Sequence, residues 1–324
     1  MKAWTGIDVS KLTLDACLLR EEGKPVFKQF KNDPAGFSKL ARWALSFGTL
    51  PIHYCLEATG SHSDALAHFL AESGQAVSVE NPARIKHFGI GIGRIQKTDK
   101  ADAMTIATYC KMTSPSLWRL SAPEVRELVA LLRRLQSLQE LLNQEENRLK
   151  EPGLIQEVKR SLTQTVRFLR TQILRLRSQI DDHVNRHPGL KADKELLESI
   201  PGIGPMAAMW ILAELPHPDQ FPTAQAAAAY AGLAPQERRS GTSIKGKTRL
   251  SKAGKRQLRR ALYMPAVSAR RWNPLVKDLY DRLIARGHSR MAAIGACMRK
   301  LLMLAYGVLK HQKKFDATLS VATT

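Results

Sequence analysis

Between residues 128 and 184 apolar residues recur every three, four or seven positions, and few folds absorb such a pattern. Leu128, Leu131, Leu135, Leu138, Leu142 and Leu149 form one ladder. Beyond Pro152-Gly153 it resumes as Leu162, Val166, Leu169, Ile173, Leu176, Ile180 and Val184. A seam sustained over that many turns predicts two long helices packed as a coiled coil. Either the two close on each other within one subunit, or the pair is an arm that assembles subunits. The chain thereby divides into residues 1–115, a coiled-coil arm over 116–190, and residues 191–324.

In the first region "WTGIDVS", "LTLDACLL" and "VFKQFKN" read as short strands separated by turn signals such as Glu22-Gly23-Lys24-Pro25. A helix, the buried strand "IHYCLEA", a second helix and the strand "AVSVE" follow. Three antiparallel strands and then βαβ-like units imply a mixed α/β sheet with helices on its faces. "FGIGIGR" reads as a loop, since a dinucleotide fingerprint would follow the first strand of a βαβ unit. The third region is mostly α-helical. Its "LLESIPGIGPMAAMWILAEL" resembles a helix-hairpin-helix, with Gly202 and Gly204 in a turn whose amides would meet a phosphate.

The formal net charge is +21, and from Arg238 to Lys277 there are 13 Lys or Arg and no Asp or Glu. Arg238, Arg239, Lys245, Lys247, Arg249, Lys252, Lys255, Arg256, Arg259 and Arg260 are the dense part of this run. Such a stretch repels itself unless an anion neutralises it, which points to a polyanionic partner. A membrane surface is disfavoured, because neither a basic amphipathic helix nor an apolar run of about 18 residues stands out. Nucleic acid is the better partner. With aromatics at 6%, backbone contact to a duplex fits better than single-strand stacking. An Asp in "MKAWTGIDVSK" argues against a secretion signal. Four cysteines without a CxxC pair argue against zinc or disulfides, so the expected place is the cytoplasm.

Four acids stand out by position: Asp8 in the first strand, Glu57 at the end of "IHYCLE", and Asp99 and Asp102 in "KTDKADA". Taken singly, each reads first as a solvated cap, as do Asp15, Asp33 and Asp64. Together, two strand ends and one helix face supply the oxygen donors a pair of Mg²⁺ or Mn²⁺ ions needs for phosphoryl transfer. Inside the basic run lie three hydroxyls, Ser240, Thr242 and Ser243. Local sequence leaves them as phosphate contacts or as a nucleophile.

At "GIDVSK", "CLEATG" and "KTDKADA", and again at "LLESIPGIG", "AYAGLAP", "RRSGTSIKGKTRLSKAGKRQLRRALYMPA" and "MRKLLMLAYGVLK", the chain resembles the DEDD transposases of insertion-sequence family 110. The resemblance covers essentially the whole sequence. It implies an RNase-H-like (RuvC-like) N-terminal domain, a coiled-coil arm and a helical transposase domain. It also implies an acidic tetrad of Asp8, Glu57, Asp99 and Asp102 holding Mg²⁺ or Mn²⁺, and Ser240 as the nucleophile that links covalently to DNA. Target and donor duplexes, a structured noncoding bridge RNA that guides them, and a homotetramer are the implied partners. Two rival functions remain: a junction resolvase or nuclease that activates water, and a non-catalytic nucleic-acid-binding scaffold.

Overall fold

The computed structural model describes residues 2–48, 51–94, 98–215, 217–240 and 244–318, in two compact units, Met1–Leu120 and Ser121–Thr324. In the first unit, β1 (Ala3–Val9), β2 (Thr13–Arg20) and β3 (Val26–Lys31) form an antiparallel meander. β4 (Ile52–Glu57) and β5 (Ala76–Glu80) add in parallel on the other side of β1, giving the order β3-β2-β1-β4-β5. This is the expected mixed sheet, three antiparallel strands followed by two parallel ones. Helices α1 (Pro34–Leu45) and α2 (Ser61–Glu72) cover one face, where Ile7, Leu14, Leu18, Phe37, Leu40 and Leu66 make the core. α3 (Pro82–Gly91) and α4 (Asp99–Thr113) lie on the other, over Cys17, Cys55, Ile106 and Cys110.

The glycine-rich "FGIG", read above as loop, is helical. α3 runs to Gly91, and Gly89 brings it against the Thr105 methyl of α4. Helix–helix packing overrode the low helix propensity of glycine there.

In the second unit α5 (Pro123–Arg148) and α6 (Gln156–Arg186) pair with each other. Leu128, Leu132, Leu135 and Leu138 meet Leu169, Ile173, Leu176 and Ile180, so the seam closes within one chain. Leu132, not Leu131, is fully buried, because a straight helix turns every 3.6 residues and drifts off a strict heptad. The seam continues into a single core with α7 (Pro188–Glu198), α8 (Pro205–Glu214), α9 (Ala224–Tyr230), α10 (Arg256–Trp272), α11 (Pro274–Ala285) and α12 (Arg290–His311).

Two sequence expectations change here. By length and composition α12 is apolar enough to cross a bilayer, although the sequence offered no obvious such run. Most of it is buried against α9, α10 and α11, which is what an enclosed core helix requires. The basic stretch, given no strand above, forms an antiparallel hairpin of β6 (Pro235–Ser240) and β7 (Ile244–Leu250). The alternation of Ile244, Gly246, Thr248 and Leu250 with Lys245, Lys247 and Arg249 carries that signal, and the charge density obscured it.

Candidate active site and nucleic-acid interface

Asp8 stands one residue before the end of β1, and Glu57 is the last residue of β4. The strands run parallel with Ile7 beside Leu56, so the two acids fall side by side at the same end of the sheet. Strand alternation turns both toward α4, the side on which Cys55 packs. α4 starts at Asp99, and Thr98 caps it: its Oγ1 accepts from the Ala101 N–H at 3.2 Å. Asp99 and Asp102 both lie in the first turn, where the helix dipole favours negative charge.

Gly6 lets α4 come down onto β1. A Cβ at this position would sit inside the helix backbone, against the Ala103 carbonyl and the Ala107 N–H. Gly6→Ala is therefore expected to lift α4 and its two acids away from Asp8. The variant should lose about 3 kcal/mol of stability in denaturant titration, with all four carboxylates still present. Wild-type stability in that variant would show that α4 need not be seated on β1. A second tether is Arg94, whose Nη1 donates to the Ala101 carbonyl and to Thr105 Oγ1, both at 3.2 Å.

Electrostatics reports the convergence. Burial, then the charges of Asp102, Asp99 and Asp15, push the Asp8 carboxyl up to about 6, against a partly opposing hydrogen bond with the Val9 backbone. Burial, then Asp8 and Asp102, push Glu57 up to about 7. Three elements thus bring the other three sequence-predicted acids within electrostatic reach of Asp8. Among the described residues no three His, Cys, Asp or Glu side chains come close enough to grip one ion together. The donors themselves suit a hard divalent cation: all are carboxylates, and their mutual repulsion is what such a cation relieves. Asp15, read above as a surface acid, belongs to the neighbourhood. It pairs across the β1–β2 ladder with Asp8, and Gln29 Nε2 donates to its two oxygens at 3.0 and 3.1 Å. Only the register of β2 reveals this, since nothing local to Asp15 marks it.

Ser240 is the last residue of β6 and pairs with Ile244, with Arg239 opposite Lys245 and Arg238 opposite Gly246. Thr242 and Ser243 lie outside the described residues. Lys247 falls within β7, and Arg249, Lys252, Lys255 and Arg256 are exposed along the path from β7 into α10. Two of the predicted phosphate contacts have partners within the protein. Arg259 Nη1 donates to the carbonyls of Ala231 (2.9 Å) and Gly254 (3.0 Å), and Arg260 pairs with Glu140 of α5 at 2.6 Å.

Gly202, at φ +104°, abuts α10 so closely that a Cβ would strike Ala269. Its glycine thus has a packing cause independent of any phosphate. Gly204 caps α8 with open space around it.

A transposase family model of the DEDD IS110 type matches residues 5–157, and one described as the IS116/IS110/IS902 transposase family matches residues 194–281. The pilin gene-inverting proteins of Moraxella bovis and Moraxella lacunata are each 33% identical over 319 residues, 97% of this chain and 98% of theirs. The IS110 insertion-element 43.6 kDa protein of Streptomyces coelicolor is 30% identical over 167 residues, covering 52% of this chain and 40% of its own. Among solved structures, RuvC of Thermus thermophilus aligns over 36% of this chain and 99% of its own, at 18% identity and a TM-score of 0.26. With a relative at this identity spanning nearly the whole length and both family models in sequence order, the chain belongs to the IS110 family of DEDD transposases and is a DNA recombinase.

Proposed function

We propose that this recombinase cuts and rejoins DNA through a covalent phosphoserine, with the acidic tetrad and the serine hairpin as the two halves of its chemistry. The observation that carries this reading is the meeting of Asp8, Glu57 and the first turn of α4 at one end of the sheet. Asp8, Glu57, Asp99 and Asp102 would hold one or two divalent cations, Mg²⁺ or Mn²⁺, which supply Lewis-acid polarisation of the scissile phosphate when bound. Ser240 attacks phosphorus, so a Ser Oγ–P bond forms and the P–O bond to the leaving strand breaks. The serine proton ends on the released hydroxyl. The reverse attack by a new strand end reseals DNA and frees Ser240, so the bond energy is kept and no nucleotide triphosphate is needed. Arg238, Arg239, Lys245 and Lys247, neighbours of Ser240 in sequence, neutralise phosphate charge during the exchange.

Strand exchange of this kind serves inversion as well as transposition, in keeping with the name of the Moraxella relatives. On the same reading, a structured noncoding guide RNA chooses target and donor, and the protein reads backbone and shape. The working assembly is a homotetramer acting on the nucleoid in the cytoplasm. Since the α5–α6 seam closes internally, subunits would meet through outward side chains such as Phe168 and Leu174, both more than 60% exposed.

Mass spectrometry of the denatured reaction tests the serine: a DNA adduct belongs on residues 240–245. RNase treatment of the purified complex tests the guide. Site-specific joining should disappear and return when the RNA is added back; joining that survives digestion would remove the RNA from the reading. The rival nuclease, which activates water, predicts cleaved DNA with no adduct.

A further inference from the structure

The two strands of the serine hairpin are fastened to each other below their outermost pair. Past Pro235 and Leu250 the Ser251 N–H donates to the Ala234 carbonyl (2.9 Å) and the Lys252 N–H to the Gly232 carbonyl (3.1 Å). The Lys255 N–H then closes onto the Tyr230 carbonyl at 3.1 Å. Lys252 takes φ +54° on this path, a left-handed backbone that a residue with a Cβ adopts only when its surroundings impose it. Two glycines make the approach possible. A Cβ on Gly254 would strike the Tyr230 carbonyl and the Gly232 nitrogen, and one on Gly232 (φ +70°) would meet the Arg259 side chain.

One side chain joins both segments. Arg259, near the start of α10, donates from the same Nη1 to the Ala231 carbonyl ahead of β6 and the Gly254 carbonyl behind β7. It is only partly exposed, and among the described residues no carboxylate pairs with it. A guanidinium drawn out of water toward two main-chain carbonyls, with no counter-charge, is placed for what it holds together.

The length of the hairpin makes its base matter. Ser240 lies six residues beyond Ala234, about 20 Å along an extended strand. A tilt of about 5° at the base would swing it by about 1.7 Å, and a misplacement of about 1 Å can cost on the order of 10²-fold in rate. We propose that Arg259 is a positioning residue: it clasps the base of the β6–β7 hairpin and so fixes where Ser240 stands, without touching DNA. The role rests on Ser240 being the nucleophile, as proposed above. It takes Arg259 out of the phosphate-binding run and puts it in the support of the reacting side chain.

Arg259→Met tests this, since it keeps an apolar stem and removes the donors. In the full chain as purified, the single-turnover rate of adduct formation at saturating DNA should fall about 10²-fold. The DNA concentration for half-maximal rate and the slope of log K against log salt should stay at wild-type values. Amide hydrogen exchange should quicken in peptides from residues 235–250 and stay unchanged in α12. Gly254→Ala disturbs the same clasp with every cation kept, and should reproduce these effects. A slope shallower by about 0.9 in Arg259→Met, the mark of one lost phosphate contact, would overturn the proposal in favour of direct DNA contact. Exchange that quickens in α12 as well in both variants would overturn it in favour of a plain loss of stability, and so would a wild-type rate in either variant. The two readings fail differently. A wild type that forms no adduct removes the serine reading and the role of Arg259 with it, whereas a wild-type rate in Arg259→Met beside an inactive Ser240→Ala removes the role of Arg259 alone.

Discussion

Ser240→Ala is expected to abolish recombination, with strand joining falling by on the order of 10⁴-fold or more, because a covalent route has no substitute for its nucleophile. In denatured reactions of the wild-type chain the DNA should stay attached to protein. Trypsin cutting after Arg239 and Lys245 leaves "SGTSIK", residues 240–245, as the carrier. Fragmentation of that peptide, together with Ser243→Ala, decides between the two serines. Ser240 ends β6 opposite Ile244, where β7 holds the strand's backbone on one side, and such support suits a nucleophile. If Ser240→Ala still joins DNA, the covalent reading is wrong at this residue. If the wild type cleaves without any adduct, the enzyme is a water-activating nuclease and the hydroxyl only touches phosphate.

The second large effect is at the acids. Asp8→Asn should lower cleavage on the order of 10³-fold, by loss of a cation-holding oxygen that no neighbour replaces. The same change should make the metal-free protein more stable. Asp8 is squeezed by burial and by Asp102, Asp99 and Asp15, so its charged form is disfavoured in the folded state. A neutral side chain of the same shape removes that repulsion. Because the site is only half-buried and solvent screens it, the gain is about 1 kcal/mol, or about 3 °C in Tm. Thermal melts in chelator and in Mn²⁺ read both halves. The wild type should be stabilised by Mn²⁺ and the variant much less so. A variant that melts lower than wild type in chelator would mean that Asp8 is tied into favourable contacts rather than held in a repulsive cluster.

These two sites were legible in the sequence for different reasons. Strand ends are readable from alternation and turn residues, so Asp8 and Glu57 could be placed at the rim of a sheet before any coordinates. Asp99 and Asp102 follow from helical spacing, three residues apart. The leucine ladder likewise fixed two long helices, because an apolar seam of that length must be buried. What sequence alone left open was whether the seam closed within the chain. That depends on the turn at 149–155 bringing α6 back along α5, and the fold decides for closure.

Other features came only from the tertiary structure, and the cause is the same each time: partners far apart in the chain. Asp15 looked solvated until the β1–β2 register set it opposite Asp8, and Gln29 joined it from a third strand. Nothing local in the sequence marks Gly6, and it is α4, about a hundred residues on, that needs its missing Cβ. Arg259 and Arg260 looked like two more phosphate contacts in a basic run, and carbonyls and Glu140 claimed them. Composition and spacing determine the element types, the charge and the reactive residue kinds, since those depend on near neighbours. Which acids share a field, which cations stay free and which glycines are obligatory depend on close approach between distant segments, and only the folded chain sets that.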